Sequence, residues 1–135
     1  MRLNTFNFYE IRPLTISDYD QAIQLWQTQA TLESHNDIAS YTKEHFAAVL
    51  QISPRFSLAV IKDNELIGTI LCHHDGSRGY IHQLVIDLQY RNTSIAQTLH
   101  NLCLGKLAHA GILREHIDLA IADYNYATPQ AIAAH

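Results

Sequence analysis

The stretch YIHQLVIDLQYRNTSIAQTLHNLCLGKLAHAG, residues 80–111, decides how the chain folds. Its first part, Tyr80 to Leu88, becomes more apolar toward its end and reads as a strand. Its last part sets Ile95, Leu99, Leu102, Cys103 and Leu107 on one helical stripe, and Gly111 follows as the residue that closes the helix. Between them, QYRNTSIAQTL passes from strand to helix through an arginine and small polar residues, with Asn92 or Thr93 as the cap. A strand that feeds a helix N-terminus in this way is a natural place for a phosphate, because free backbone N–H groups and the helix dipole both point there. Such loops usually use glycine, and this one has none. Arg91 at the positive end of the dipole is locally unfavourable, which favours an anionic partner. One more strand, around Ile117 to Ala122, completes a strand–helix–strand unit whose natural form is a right-handed parallel crossover.

Working outward, FSLAVIKDNELIGTILCHH (56–74) reads as a hairpin that turns at Lys62-Asp63-Asn64, and a second turn at Asp75–Gly79 leads into the strand from Tyr80. Nearer the N-terminus, FYEIRPL alternates apolar and polar residues, so a first strand is expected near residues 7–13, with Pro13 marking an edge or an end. TISDYDQAIQLWQTQ follows as an amphipathic helix, with Ser17 as N-cap, Asp20 three residues on, and Tyr19, Ala22, Ile23 and Trp26 on its apolar face. A second helix is predicted from Thr42 to Ile52, with Phe46, Val49 and Leu50 inward and Pro54 stopping it. The tail, YATPQAIAAH, begins another helix at Thr128-Pro129. The order is therefore β-α-α-β-β-β-α-β, an α/β fold read as one domain over residues 1–135.

Apolar residues make up 47% of the chain, enough for a real core in a single domain of this length. The net charge is −4 and the nine Lys and Arg are scattered, so nothing favours nucleic acid. No stretch approaches the roughly 18 apolar residues of a membrane span, and the N-terminus lacks an apolar leader, so a cytoplasmic protein is expected. Cys72 and Cys103 lie far apart in the sequence, in apolar settings, and read as reduced core residues. His73, His74 and Asp75 do not make a metal site, because neighbours on a strand face opposite ways; no metal is expected.

The segments EIRPLTISDYDQAIQLW, SLAVIKDNELIGTILCHHDGSRGYIHQLVI and QYRNTSIAQTL, in this order and spacing, resemble the GNAT superfamily of acyl-CoA-dependent N-acetyltransferases over essentially the whole chain. The resemblance implies a GNAT-like mixed β-sheet, a cytoplasmic enzyme and acetyl-CoA as cosubstrate. It also implies a chain that lacks the last two family strands, so that a homodimer through the C-terminal strand edge is expected. In the family the loop after the fourth strand runs Arg/Gln-x-x-Gly-x-Gly/Ala and its amides hold the CoA pyrophosphate. Laid on this sequence, that loop is a degenerate one in which the arginine is Arg91, the first glycine position is Ser94 and the Gly/Ala position is Ala96. Asn92, Thr93 and Ile95 complete it, with Asn92 where the family's glycine usually follows the arginine.

The resemblance further places the thioester and pantetheine arm along Leu84, Val85 and Ile86, which would act through their backbone groups. His82 stands near the family's general base, and a neutral imidazole with an ordinary pKa of about 6.5 suits that role. The family's acid, a tyrosine of the last helix, corresponds to Tyr126 or His135, with Tyr124 a further alternative. Glu33, Asn36 and Asp37, in the polar segment that also holds His35, correspond to the acceptor-binding region, where carboxylates can hold a cationic amine. The acceptor is then a primary amine of a small molecule or peptide. The alternative is a non-catalytic GNAT-like binding or dimerisation module with weak or no CoA binding, which Ser94, the missing strands and the unassigned acid favour.

Overall fold

The computed structural model describes residues 8–29, 42–91 and 93–120. Strand β1 (Glu10–Pro13) opens the chain, and the part of the expected first strand before Phe8 lies outside the described residues. A 3₁₀ turn, Ile16–Asp18, then leads into helix α1 (Tyr19–Gln29). The cap is therefore not Ser17 with Asp20 but Thr15 with Asp18, because the chain first tightens through the 3₁₀ turn. Asp18 Oδ2 accepts from the Thr15 N–H at 2.8 Å and from its hydroxyl at 3.2 Å. The same carboxylate takes both arms of the Arg12 guanidinium, at 2.9 and 3.0 Å. Burial alone would raise the Asp18 pKa; the hydrogen bonds from Arg12 and Thr15 outweigh it and hold it below the usual carboxylate range. The start of α1 is thus pinned to β1.

Helix α2 (Lys43–Ile52) follows as expected, with the Thr42 hydroxyl accepting from the His45 N–H at 3.1 Å, and with Phe46 and Val49 buried. Strands β2 (Leu58–Lys62) and β3 (Glu65–His74) form the hairpin, whose turn residues Asp63 and Asn64 have φ of 53° and 67°. Positive φ at both central positions is the turn that matches strand twist, and Asn and Asp tolerate it best after glycine. Strand β4 (Gly79–Ile86) stops two residues short of the predicted Leu88, because Asp87 turns the chain and caps a 3₁₀ turn at Leu88–Tyr90. Helix α3 (Ile95–His109) and strand β5 (Ile117–Ala120) complete the order, and Gly111, with φ of 89°, takes the left-handed position after the helix.

The sheet runs β1-β2-β3-β4-β5, antiparallel except for the parallel β4–β5 pair. Its two faces carry two cores. Under α3 lie Val60, Ile70, Cys72, Ile81, Leu84 and Ile86; under α1 and α2 lie Ala59, Leu66, Leu71 and Val85 with Trp26 and Phe46. Gly79 lets α3 sit close to the sheet, since a Cβ there would meet Leu107 Cδ1 at 2.9 Å.

One further expectation changes. Leu102 is not on the buried stripe but 42% exposed, and His100 takes an inward position at 2%. Cys72 and Cys103, distant in sequence, meet in the core beneath α3, where the Cys103 thiol donates to the Phe56 carbonyl at 3.8 Å and has Cys72 as its neighbour. That neighbour and burial push the Cys103 thiol well up from its ordinary pKa. Both sulfurs remain free thiols. His73 and His74 face opposite ways as expected: His73 stacks on Tyr80 at 4.9 Å, and His74 packs against Phe56 at 5.1 Å. Among the described residues no helix is long and apolar enough to cross a membrane. The tail helix lies outside the described residues; among them β5 is the end strand of the sheet, the edge through which a dimer was expected.

Candidate functional site

Strand β4 is irregular where the site was expected. Thr69 pairs with Val85 and Leu71 with His82, so Gln83 and Leu84 together stand opposite the single residue Ile70. This is a β-bulge, and Gln83 holds φ of 53°, an uncommon conformation for a residue with a Cβ. The side chains of Leu84, Val85 and Ile86 are all buried, at 0, 8 and 3%. Only their backbone groups are left for a ligand. Among the described residues, β5 pairs with β4 from Gly79 to His82 and no strand pairs with Gln83–Ile86 on that side.

His82 immediately precedes the bulge and lies half-buried on the face covered by α1 and α2. Its ring meets His73 edge-on at 5.5 Å. Burial, with smaller contributions from His73 and His45, pushes its pKa down to about 4. His82 is therefore neutral at neutral pH. His73 is lowered too, first by burial and then by His74.

At the far end of β4, Asp87 Oδ1 accepts from the Gln89 N–H at 2.9 Å, which fixes the turn that aims Arg91 and Thr93 at the start of α3. Arg91 is half-buried and has no acidic partner among the described residues. The Thr93 hydroxyl donates to Tyr90 O at 2.6 Å and accepts from the Ile95 N–H at 3.3 Å, which shapes the turn; the cap residue itself is Ser94, whose side chain makes no capping bond, rather than the expected Asn92 or Thr93. Ser94 is exposed, with φ of −87°. A position with negative φ requires no glycine for its backbone. Ile95 and Ala96 are buried at 2% each, anchoring the first helical turn while its N–H groups point out along the axis. Arg91, a hydroxyl-bearing turn and free helix-start amides fit an anionic pyrophosphate.

The structure thus brings Arg91, Thr93, Ser94, Ile95 and Ala96 together beyond the C-terminal end of β4, with His82 four residues up the strand from that end, roughly 13 Å along it. Asn92, Glu33, Asn36, Asp37, Tyr126 and His135 lie outside the described residues. The ring group of His73, Tyr80 and His45 around His82 was missed by sequence reasoning. Part of it was readable, because the Asp75–Arg78 turn sets the pairs His73↔Tyr80 and Leu71↔His82 by simple counting. The contribution of His45, from α2, was not. No group of three or more His, Cys, Asp or Glu among the described residues is arranged to hold a metal.

The family described as acetyltransferase (GNAT) matches residues 19–130. Among curated proteins none matches the sequence. Several solved structures share the fold. The PaiA N-acetyltransferase of Thermoplasma acidophilum, in complex with coenzyme A, is 24% identical, with TM-score 0.68 over 87% of this chain and 82% of that one. The NatC complex bound to Gag peptide and CoA contains a chain 22% identical, with TM-score 0.69 over 93% and 82%. A probable acetyltransferase of Staphylococcus aureus is 11% identical, with TM-score 0.69 over 94% and 87%. At these identities the likeness is one of fold.

Proposed function

Because the chain belongs to the acetyltransferase (GNAT) family, we propose that it moves an acetyl group from acetyl-CoA to the primary amine of a small molecule or peptide. The observation that carries this reading is the end of β4, where a bulged strand with inward side chains passes through Arg91 into the start of α3. Acetyl-CoA, when bound, supplies an acetyl thioester open to attack by an amine.

The chain's own residues then have distinct tasks. Arg91, with the amides of Asn92, Ser94 and Ala96 and the Ser94 hydroxyl, holds the pyrophosphate, while Thr93 and Ile95, bonded to one another, shape the turn that presents them. Backbone groups of Leu84, Val85 and Ile86 align the acyl arm, and an N–H directed at the carbonyl oxygen favours the charge that develops there. His82, kept neutral by burial, accepts at a ring nitrogen the proton that the amine loses as the new C–N bond forms, and returns it to the CoA thiolate that departs as the C–S bond breaks. Its low pKa suits a proton released late, from an amine already acidified by attack. Glu33, Asn36 and Asp37 are assigned to the acceptor.

Calorimetric titration with acetyl-CoA tests the first part. Binding in the micromolar range is expected, and Arg91→Glu weakens it at least about tenfold, a loss of roughly 1.4 kcal/mol. No binding at millimolar acetyl-CoA overturns the proposal. Release of free CoA thiol in the presence of an amine panel tests turnover; binding without release with every amine would make the chain a non-catalytic module.

A further inference from the structure

The bulge on β4 is fastened by a buried relay. The indole N–H of Trp26, in α1, donates to Thr69 Oγ1 at 2.9 Å, and the Thr69 hydroxyl donates in turn to the carbonyl of Gln83 at 2.9 Å. Trp26 and Thr69 are fully buried, and Gln83 is 6% exposed. An indole nitrogen only donates and a carbonyl only accepts, while a hydroxyl has one proton to give. The direction of both bonds is therefore fixed, and Thr69 is the element that can link the two. A left-handed residue with a Cβ inside a strand costs energy and persists only where the surroundings hold it. Here that hold comes from a strand and from the first helix together.

We propose that Thr69, oriented by Trp26, is a positioning residue that locks the Gln83–Leu84 bulge of β4, and so keeps His82 and the Leu84 peptide group in place for acetyl transfer. The proposal rests on the acetyltransferase reading for its consequence, and on the relay for its substance. It also ties α1 to the bulge, so that a shift of this helix is felt at the Gln83 peptide.

Three variants test it. Thr69→Val keeps the shape and removes the hydroxyl, leaving both the indole N–H and the Gln83 carbonyl without this partner. Thr69→Ser keeps the hydroxyl, and Trp26→Phe removes the donor together with part of the buried ring's volume. In Thr69→Val, kcat falls at least about tenfold while the dissociation constant for acetyl-CoA stays within about threefold; Thr69→Ser restores kcat to within about threefold of the parent. Amide hydrogen exchange at residues 83–85 speeds up at least about tenfold in Thr69→Val and measurably in Trp26→Phe, with Ile81 unchanged. A parent-like kcat and parent-like exchange in Thr69→Val overturn the proposal. Should Thr69→Val not fold, unchanged exchange at residues 83–85 in Trp26→Phe overturns it equally. A parent protein that never transfers acetyl groups refutes the acetyltransferase reading, and the exchange measurements still decide whether Thr69 holds the bulge.

Discussion

At Ser94 the residue scale answers a question the sequence raised. The family favours glycine there, but the backbone at φ −87° is one that serine adopts without strain. Ser94→Gly is therefore expected to change acetyl-CoA affinity by less than about threefold, measured by calorimetry; a gain above about tenfold would mean that the Cβ obstructs the ligand. His82 gives a pH dependence. Its folded pKa of about 4 lies below the roughly 6.5 of the unfolded chain, so the unfolded chain takes up the extra proton first. Stability conferred by the neutral imidazole is complete above about pH 6.5 and is lost as pH falls toward about 4, by a few kcal/mol at most. Urea midpoints followed across this window should fall less steeply in His82→Gln than in the parent. Equal slopes would mean that burial does not depress this imidazole.

The elements join by contacts that no single element encodes. Asp18 closes the first turn before α1 and grips Arg12 of β1, so Asp18→Ala should cost about 1–3 kcal/mol in chemical denaturation. Because its folded pKa is depressed, the stability it supplies is present above about pH 4 and disappears as pH falls through that folded value. At the other end of the fold, Gly111→Ala forces a Cβ into the left-handed position after α3 and should cost about 1–2 kcal/mol. Element order was legible in the sequence because periodicity, caps and turn residues are local signals. The Asp63-Asn64 turn, the start of α2 at Thr42 and the Gly111 stop needed no tertiary information. The buried stripe of α3 was only partly legible: at 100° per residue Leu102 lies roughly 100° from the middle of the buried arc, and sheet packing selected His100 instead.

Across the whole molecule, two cores on opposite faces of one sheet hold the site between them. Cys72 and Cys103 meet inside the core beneath α3, both 0% exposed, so neither should react with a bulky thiol reagent until the protein unfolds, when both should. Fast labelling of either thiol in native protein would show that α3 opens from the sheet. The candidate site divides in the same way as the cores. The Arg91–Ala96 turn was visible as a strand-to-helix passage, since all its residues are adjacent in the chain. The surroundings of His82 were not, because His73 and His45 come from another strand and another helix.

The sequence by itself determined the α/β class, the order of elements, the hairpin and its turn, and the arginine-bearing passage from β4 into α3. Each follows from patterns within some fifteen residues, where periodicity and turn chemistry act. Only the tertiary structure decided the bulge at Gln83, which breaks the alternation of β4 for the sake of a hydroxyl 14 residues away and, through it, an indole 43 residues from that hydroxyl. It alone also decided the depressed pKa of His82, the meeting of the two cysteines and the freedom of Ser94 from any need for glycine. Desolvation and hydrogen-bond partnership depend on what the fold brings near, and no local pattern records that.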